Sequence, residues 1–417
     1  MSSAFTVSAF RRLWAAGLIS DAGDWLLFIA LPLVVYRLTG SALGTSFAFL
    51  LELIPAVVLA PVAARLVNRL DRRWLMVAIN VLQAVALVPL LFVHTKQDLP
   101  LVYLVIVAQA AFGTAFEPAK NALLPSLVGP EQLVSANALV GLNQNLGRLV
   151  GGPLGGVLLA VGDLELVVAV DAVSYLLSAL LIAAVPSVAR SSTALKATQR
   201  QKRPSDPDAP KVRPREVGLF AVLRRPNLRG TFAVMLLTSV AQGMFLVLFV
   251  LFVVDTLSGS DGDVGLLRGV QAIGAIAAGL ALGIFGKKSS ARLLTAAGSI
   301  LFGVVSLLTW NLPLITTGIP PYVVLFIIVG APGVIMMTGI VTSLQSASAD
   351  SERGSVFTML GLVSALGQAI GMLAAGLLDT PWGILPLLEL QGAIYLAGGV
   401  LAWVLMPRHV RAPVGAS

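Results

Sequence analysis

Residues 141–158 read GLNQNLGRLVGGPLGGVL, and residues 361–378 read GLVSALGQAIGMLAAGLL. The second stretch repeats the first at a constant offset of 220 residues, from 141 to 361, which is about half of the 417-residue chain. Both copies lie inside long apolar runs, so the repeat predicts a duplicated membrane bundle. The glycines that recur are Gly141, Gly147, Gly151 and Gly156, which return as Gly361, Gly367, Gly371 and Gly376.

The composition is that of a membrane protein. Hydrophobic residues make up 57% of the chain and charged residues 12%, with a mean hydropathy of +0.92. The fraction of charged residues is about half that of an ordinary soluble domain. It has no cysteine and two histidines, His94 and His409, both at the ends of apolar runs. We therefore expect no disulfide, no metal site and no cofactor.

Twelve membrane-spanning helices are predicted, because a helix needs about 20 mostly apolar residues to cross a bilayer. The first apolar run lacks the features of a cleaved signal peptide and is interpreted as a retained helix. The fold class is thus an all-α membrane protein with two pseudo-symmetric six-helix bundles. The predicted spans are 10–36, 41–66, 74–94, 99–118, 133–160, 164–186, 229–255, 263–286, 291–311, 320–345, 354–378 and 384–407.

Three domains follow from these spans: an N-terminal bundle over 1–186, a linker over 187–228, and a C-terminal bundle over 229–417 that ends in a short tail. The linker is basic and rich in proline, which favours a flexible segment beside anionic lipid over nucleic-acid binding. With the N-terminus inside, only Arg37 and Lys96 fall in outer loops, which predicts that both termini are cytoplasmic. The basic residues assigned to the inner side outside the linker are Arg11, Arg12, Arg65, Arg69, Arg72, Arg73, Lys120, Lys287, Lys288, Arg292, Arg353, Arg408 and Arg411.

Four further stretches carry a family likeness: Gly23–Trp25 with Leu38–Ser41, Asn68–Arg73, Phe116–Ala119 through Ala136–Ala138, and Asp171–Tyr175. On these residues the chain resembles the major facilitator superfamily. More narrowly, it looks like the drug-efflux and siderophore-exporter branch that includes macrolide-efflux and enterobactin-exporter-like proteins.

The loop over 64–73 is similar to the Gly-x-x-x-Asp-Arg-x-x-Arg-Arg signature of that superfamily, with Ala64 replacing the glycine and Asn68 the acid. The resemblance implies a gating loop that holds the two halves together through charges at helix ends. Asn68 can bond to a helix N-terminus but supplies no anion, so we expect a weaker hold. Alternatively, the arginines only fix orientation. The implied gating residues are Asn68, Arg69, Asp71, Arg72 and Arg73.

The fifth span carries a stretch similar to the glycine-proline motif of antiporting members. Three of its glycines recur at every fourth residue, which lets another helix approach closely, and the proline favours a kink. A close, dry interface would block ion leak while permitting rocking, although packing alone is an equal alternative. The motif residues are Gly147, Gly151, Gly152, Pro153, Gly155 and Gly156.

Ionisable residues inside the predicted spans are the sharpest functional clue. A charge at the bilayer centre costs at least about 2.5–3.5 kcal/mol, so such residues face a cavity or each other. Burial favours a neutral carboxyl group and a nearby arginine favours a charged one, and alternation between the two is what proton coupling requires. We interpret Asp24 and Glu52 as proton sites with Arg148 as their charge partner. Asp171 resembles a recurrent family position and could pair with the fifth span; a static ion pair and, for Asp21, a solvent-facing position are the alternatives.

The resulting hypothesis is a secondary exporter of amphipathic small molecules, of drug or siderophore type, working by proton antiport as its halves rock. Import or lipid flipping by the same fold is the runner-up, and a scaffold or receptor is the alternative from another class. An enzyme is not expected, because the chain lacks a thiol, an intramembrane histidine and a nucleotide-binding signature. The partners would be substrate, protons and lipid, with no nucleic acid, and the protein would be a monomer in the bacterial inner membrane.

Overall fold

The computed structural model describes residues 4–186, 223, 225–285, 289–349 and 352–407, and its regular elements in these residues are all helices. This confirms the predicted all-α class. The first half contains α1 (Ser8–Thr39), α2 (Ala42–Val58), α3 (Ala60–Arg69), α4 (Arg72–Ala86), α5 (Leu99–Gly113), α6 (Phe116–Leu127) and α7 (Leu133–Ala183). The second half contains α8 (Pro226–Leu251), α9 (Asp261–Phe285), α10 (Ala291–Asn311), α11 (Ile319–Ser346), α12 (Arg353–Trp382) and α13 (Ile384–Leu405).

Helix α7 is two helices joined at a kink. Gly162 and Asp163 have non-helical backbone angles there. Asp163 adopts a φ of 54°, a positive value that is uncommon outside glycine but that aspartate and asparagine adopt more readily than other residues. Before the kink, α7 runs parallel to α1: Asn143 donates to the Trp14 carbonyl, and Gly155 packs on Leu26. After the kink, α7 runs antiparallel to α1: Tyr175 donates to Asp24, and Ser178 donates to the Ala16 carbonyl. The chain therefore reverses direction at the kink.

The number of spans agrees with the prediction. Ten helices of the described residues are long and apolar enough to cross a membrane, and the bent pair α2–α3 makes eleven. Counting the two arms of α7 separately gives the twelve predicted spans, six on each side of the central linker.

The second span, which we predicted over 41–66 with Pro55 and Pro61 inside it, is bent. Helices α2 and α3 meet at Leu59 with an angle of 50° between them. Pro61 stands in the first turn of α3 and has no N–H to continue the α-helical hydrogen bonds of α2. Proline is tolerated at a helix start, so the chain ends one helix and begins another.

The fourth span is longer than predicted. We ended it at residue 118, but α5 is followed by α6 after a short break at residues 114–115, and α6 runs to Leu127. Lys120, which we assigned to an inner loop, is consequently 1% exposed and lies inside the first half.

The two halves touch at one end of the molecule. There Arg37 pairs with Asp261, the Tyr36 hydroxyl donates to Asp255, and Ser46 donates to the Met372 carbonyl at 2.8 Å. With the predicted orientation, this is the outer end. At the opposite end, the ion pair of Arg225 with Glu352 lies within the second half.

Several predictions fall outside the described residues. These are the basic linker over 187–228, apart from 223 and 225–228, and the assigned inner positions Lys287, Lys288, Arg408 and Arg411. The domain boundaries and the cytoplasmic placement of the termini remain predictions.

Candidate functional site

A cavity of about 540 Å³ lies in the first half, with a second of about 340 Å³ against it. Both are lined by Asp24, Phe28 and Glu52, so they adjoin one another. Small side chains of α2 and α3, such as Ala56 and Ala60, line the larger cavity. The polar groups of the larger cavity are Asp24, Glu52, Gln83, Gln109, Thr114, Glu117 and Tyr175.

Asp24 and Glu52, the two predicted proton sites, share this cavity. The carboxyl group of Asp24 accepts a hydrogen bond of 2.6 Å from the Tyr175 hydroxyl, whose oxygen accepts another of 3.3 Å from Gln83. Tyr175 is 1% exposed, so its ring is fixed by packing and holds Asp24 in one orientation. Asp24 is exposed to the cavity and Glu52 is half-buried. Both carboxylates can therefore exchange protons with solvent that enters the cavity.

Asp171 lies beside these groups but faces α1. It is fully buried, Ser174 donates to one of its oxygens at 3.0 Å, and the other oxygen has no hydrogen-bond partner. A Cβ atom on Gly23 would lie 2.1 Å from Asp171 Oδ1, so only glycine fits opposite this carboxyl group. Asp171 is not among the residues lining the two cavities. It packs against α1, not against the first arm of α7.

Arg148 has different partners from those we expected. Its guanidinium donates to the Arg268 carbonyl at 3.1 Å and to Gln271 Oε1, both on α9 of the second half. It also lies over the Trp25 ring, 5.1 Å from the centroid. The interpretation of Arg148 as the charge partner of Asp24 and Glu52 is thus corrected: its side chain leaves α7 on the side that faces α9.

Lys120, which the sequence analysis assigned to an inner loop, is a buried basic group beside the cavity-lining Glu117. It forms an ion pair with Glu117, which lines the cavity. Its side chain runs along α1, where a Cβ on Gly17 would lie 3.9 Å from Lys120 Nζ, one helical turn before Asp21. Asp21 is 8% exposed with an unpartnered Oδ2, which places it on the buried side of α1. The signal was the Glu117–Lys120 spacing of three residues on one helix face.

The predicted gating loop contacts its own half in this structure. Asp71 accepts from the Trp74 N–H and so caps the start of α4. Arg72 donates to the Ala122 carbonyl at 2.8 Å, and Arg73 donates to the Ala183 carbonyl. Asn68 and Arg69 lie at the exposed end of α3. These bonds fasten α4 to the inner ends of α6 and α7; the gating role of the loop stays a prediction.

The glycine-proline stretch of α7 has two faces. Gly147, Gly151 and Gly155 lie along α1, and a Cβ on Gly151 would come within 2.1 Å of the Ala22 carbonyl. Gly152 and Gly156 face α9 of the other half, where a Cβ on Gly156 would come within 2.2 Å of the Asp261 carbonyl. Pro153 lies on the same side, close to Gly269.

The same contacts recur in the second half. Gly371 meets the Val240 carbonyl of α8 as Gly151 meets α1, and Gly376 meets Ser46 of α2 as Gly156 meets α9. The repeat in the sequence is therefore a repeat of close helix contacts. One set joins helices within each half, and the other set joins the two halves.

The second half has amide side chains in a similar arrangement to three ionisable residues of the first half, although the offset of 220 itself pairs Asp24 with Met244. Tyr395, which lies 220 residues after Tyr175, donates to Gln242 at 3.2 Å, as Tyr175 donates to Asp24. By the same offset, Gln391 corresponds to Asp171 and Gln368 to Arg148. The hydrogen-bonding geometry is duplicated, whereas these ionisable groups are not.

The family sequence model of the Major Facilitator Superfamily matches residues 13–260 and 231–417 of the chain. The chain belongs to the Major Facilitator Superfamily. Its fold and family are those of multi-pass membrane transporters, not of enzymes.

Known proteins agree with this assignment. The chain is 26% identical over 393 residues to macrolide efflux protein A of Streptococcus pyogenes, covering 93% of each chain. It is 28% identical over 341 residues to macrolide efflux protein A of Enterococcus faecalis, covering 80% of this chain and all of that one. Its fold is similar to that of a bacterial homologue of the human lysosomal transporter Spinster in an inward-facing, occupied conformation, with a TM-score of 0.72 at 12% identity over 95% and 96% of the two chains.

Proposed function

We propose that the protein exports amphipathic small molecules from bacterial cells in exchange for protons. The observation that carries the proposal is the pair of carboxylates, Asp24 and Glu52, that line one cavity of the first half. The efflux names of the relatives support the direction of transport. In this proposal the chain works as a monomer in the inner membrane, with both termini in the cytoplasm.

Asp24 and Glu52 supply the exchangeable protons. A carboxyl group binds its proton more tightly when the surroundings are dry and releases it when water or a cation approaches. Tyr175 holds Asp24 toward the cavity, so its exposure changes with the opening of the cavity. Opening to opposite sides of the membrane in turn would load the proton outside and release it inside.

Rocking of the halves would provide the alternate openings. The glycine contacts between α7 and α9 and between α12 and α2 allow backbones to touch at the end predicted to be outer. Separation of this end, with approach of the inner ends, would expose the cavity outward. The ion pair of Arg37 with Asp261 would break in that movement.

Proteoliposomes test the proposal. A pH gradient is imposed across vesicles that contain the purified protein, and uptake of a labelled macrolide is measured. We expect uptake to follow the gradient in the wild type and to fall to background in Asp24→Asn and Glu52→Gln. Asp98→Asn is the matched control, since Asp98 is a partly exposed carboxylate outside the cavity that accepts from the Thr95 N–H in a predicted outer loop. Gradient-driven uptake at the wild-type rate in both cavity variants would overturn the proton-coupling role.

A further inference from the structure

Two arginines, one buried and one half-buried, face one another where the halves meet. Arg148 of α7 and Arg268 of α9 both donate to a single oxygen, Gln271 Oε1, with a distance of 3.3 Å from Arg268 Nη1. Arg268 is 5% exposed, and Arg148 is half-buried. Among the described residues, neither guanidinium forms an ion pair with a carboxylate.

Aromatic rings surround the pair without neutralising it. The guanidinium of Arg268 lies 4.9 Å from the Phe245 centroid, 5.8 Å from that of Phe28 and 5.9 Å from that of Trp25, and Arg148 shares Trp25. Such contacts attract a cation to the face of a ring but leave its charge in place. Two like charges held side by side away from bulk water repel one another, and they are normally matched by an anion.

Gln271 occupies the place of that anion. Its carbonyl oxygen is the neutral group that both guanidiniums share, while its Nε2 is buried and has no hydrogen-bond partner. This arrangement is unfavourable, because a neutral amide oxygen accepts from two cations while the amide's own N–H donors are buried without an acceptor. A carboxylate or phosphate oxygen at this point would satisfy both guanidiniums and leave Gln271 free to turn.

The arginine pair lies next to the transport cavity. Trp25 and Phe28, whose rings contact Arg268, also line the cavity that contains Asp24 and Glu52. On the outer side, the helices close: a Cβ on Gly265 would lie 2.3 Å from the Gly152 carbonyl. A ligand held by both arginines would therefore bridge the two halves at the closed end of the cavity.

We propose that Arg148 and Arg268 form a binding site for the anionic group of an amphipathic cargo, whose apolar body packs on Trp25, Phe28 and Phe245. The proposal rests on the proposed function, because it assigns a class of cargo to that exporter. It predicts that cargo with a carboxylate or a phosphate beside an aromatic or aliphatic body binds more tightly than cargo of the same body without the anion.

Equilibrium binding to the purified full-length protein in neutral detergent tests this site without any pH gradient. The probe is 2-naphthoate, the uncharged comparison is its methyl ester, and dissociation constants are measured by calorimetry. We expect naphthoate to bind at least about tenfold more tightly than the ester, with a loss of about tenfold or more in Arg148→Gln and Arg268→Gln. Arg292→Gln is the matched control, since Arg292 is also buried and stacked on a tryptophan, Trp403.

A second variant guards against unfolding of the arginine variants. Gln271→Glu places a tethered carboxylate between the two guanidiniums, so we expect a higher unfolding midpoint together with loss of naphthoate binding. Equal binding of acid and ester, or wild-type binding in Arg268→Gln or Gln271→Glu, would overturn the site. Complete displacement of naphthoate by equimolar inorganic phosphate would overturn the amphipathic class of cargo.

The outcome is separable from that of the transport assay. Naphthoate binding that depends on Arg268, together with no gradient-driven macrolide uptake, contradicts the proposed antiport and leaves the anion site standing. Gradient-driven uptake without any such binding contradicts the anion site alone.

Discussion

At the scale of single residues, the hydrogen bond between Tyr175 and Asp24 gives the cavity its fixed acid. A hydroxyl that donates to a carboxylate orients it and stabilises its charge, and bonds to charged groups contribute about 1.5–3 kcal/mol. The equivalent bond from Tyr395 ends on Gln242, a neutral amide. The chain therefore contains its own comparison for this interaction.

Replacement of the two tyrosines separates packing from coupling. We expect Tyr175→Phe to lower gradient-driven uptake about tenfold, because Asp24 loses the donor that orients it. Tyr395→Phe removes an equally buried hydroxyl from a neutral partner and should leave uptake within about twofold. Equal uptake by the two variants in the liposome assay would show that the hydroxyl of Tyr175 has no part in coupling.

The ion pair of Arg225 with Glu352 predicts a pH-dependent stability. The Arg225 guanidinium donates to both Glu352 oxygens, at 2.5 and 2.7 Å, and this hydrogen bonding holds the pKa of the Glu352 carboxyl below its usual value. A lowered pKa in the folded state adds stability above the unfolded value of about 4.3, and that stability is lost as the pH falls. Because both side chains are partly exposed, the contribution stays below about 1 kcal/mol.

Thermal unfolding of Glu352→Gln in detergent measures this contribution. The variant should unfold at a lower temperature than the wild type at pH 7, and the difference should shrink as the pH falls below about 4.3 and vanish once the pH is below the lowered pKa of Glu352. A double variant with Arg225→Gln controls for the loss of charge, since it should be no less stable than Glu352→Gln alone. A difference that grows on acidification would contradict the assigned role of the pair.

Spacing along the chain suggests how deep a charged residue lies in a span but not its direction around the helix. Asp24 and Glu52, which were selected by their positions in the predicted spans, line one cavity, and their proton-coupling role stays a prediction. Arg148 lies at a similar depth, yet it points to α9, since a small change in helix rotation decides which neighbour a side chain meets. Lys120 was missed because the end of the fourth span was set by its charged residues.

At the scale of helices, the glycine register decides which faces can touch. Gly151 and Gly371 each lie against a carbonyl of the first helix of their own half. Gly141 and Gly361 belong to the same repeat but have open space around them. The glycines that recur in both halves are therefore of two kinds: some lie where only glycine fits, and others lie where a side chain would be tolerated.

Alanine substitutions distinguish these positions. A Cβ would lie 2.1 Å from a carbonyl oxygen at Gly151 and 2.0 Å at Gly371, so we expect each alanine variant to lose about 1–3 kcal/mol of unfolding free energy. Gly141→Ala and Gly361→Ala meet nothing within 4 Å and should gain up to about 1 kcal/mol from helix propensity. Unfolding in detergent measures all four, and equal effects would contradict the proposed register.

Helix boundaries were predictable where a turn signal exists and uncertain where proline lies inside a span. The kink at Gly162–Asp163 falls between the two spans predicted at 133–160 and 164–186. The bend at Leu59 was not predicted, because Pro55 and Pro61 are equally compatible with one tilted helix. Packing against neighbouring helices determines whether the span is bent or tilted, and the periodicity of the sequence carries no information about that packing.

At the scale of the whole molecule, the ion pair and hydrogen bonds Arg37–Asp261, Tyr36–Asp255 and Ser46–Met372, which join the halves in the described part of the chain, lie toward one end of the bundles, an arrangement that is compatible with the proposed rocking. The offset of 220 residues predicted two related bundles, and the structure shows which helices join them: α7 with α9, and α12 with α2. The repeat in the sequence alone could not reveal this pairing. It shows that the two halves are related to one another, but not which helices of one half contact the other half.

Cross-linking across this end tests the movement. The chain has no cysteine, so Tyr36→Cys with Asp255→Cys introduces one defined pair across the halves. Bridging the pair with a reducible dithiol reagent should stop transport, and reduction should restore it. Arg225→Cys with Glu352→Cys, bridged in the same way within one half, should keep more than about half of the activity if each half moves as a rigid body. Transport at the full rate through a bridged Tyr36–Asp255 pair would contradict rocking.

The difference between Asp24 and Gln242 also bears on the stoichiometry of the proposed antiport. Each half has a buried tyrosine that donates to a side-chain oxygen, but the acceptor in the second half is an amide, which neither gains nor loses a hydrogen ion at physiological pH. The residue that the offset of 220 pairs with Asp24 is Met244, which cannot exchange a hydrogen ion either. In the proposed cycle, each turnover would therefore draw on Asp24 without a counterpart in the second half, and this would limit how steeply cargo could be concentrated for a given membrane energy.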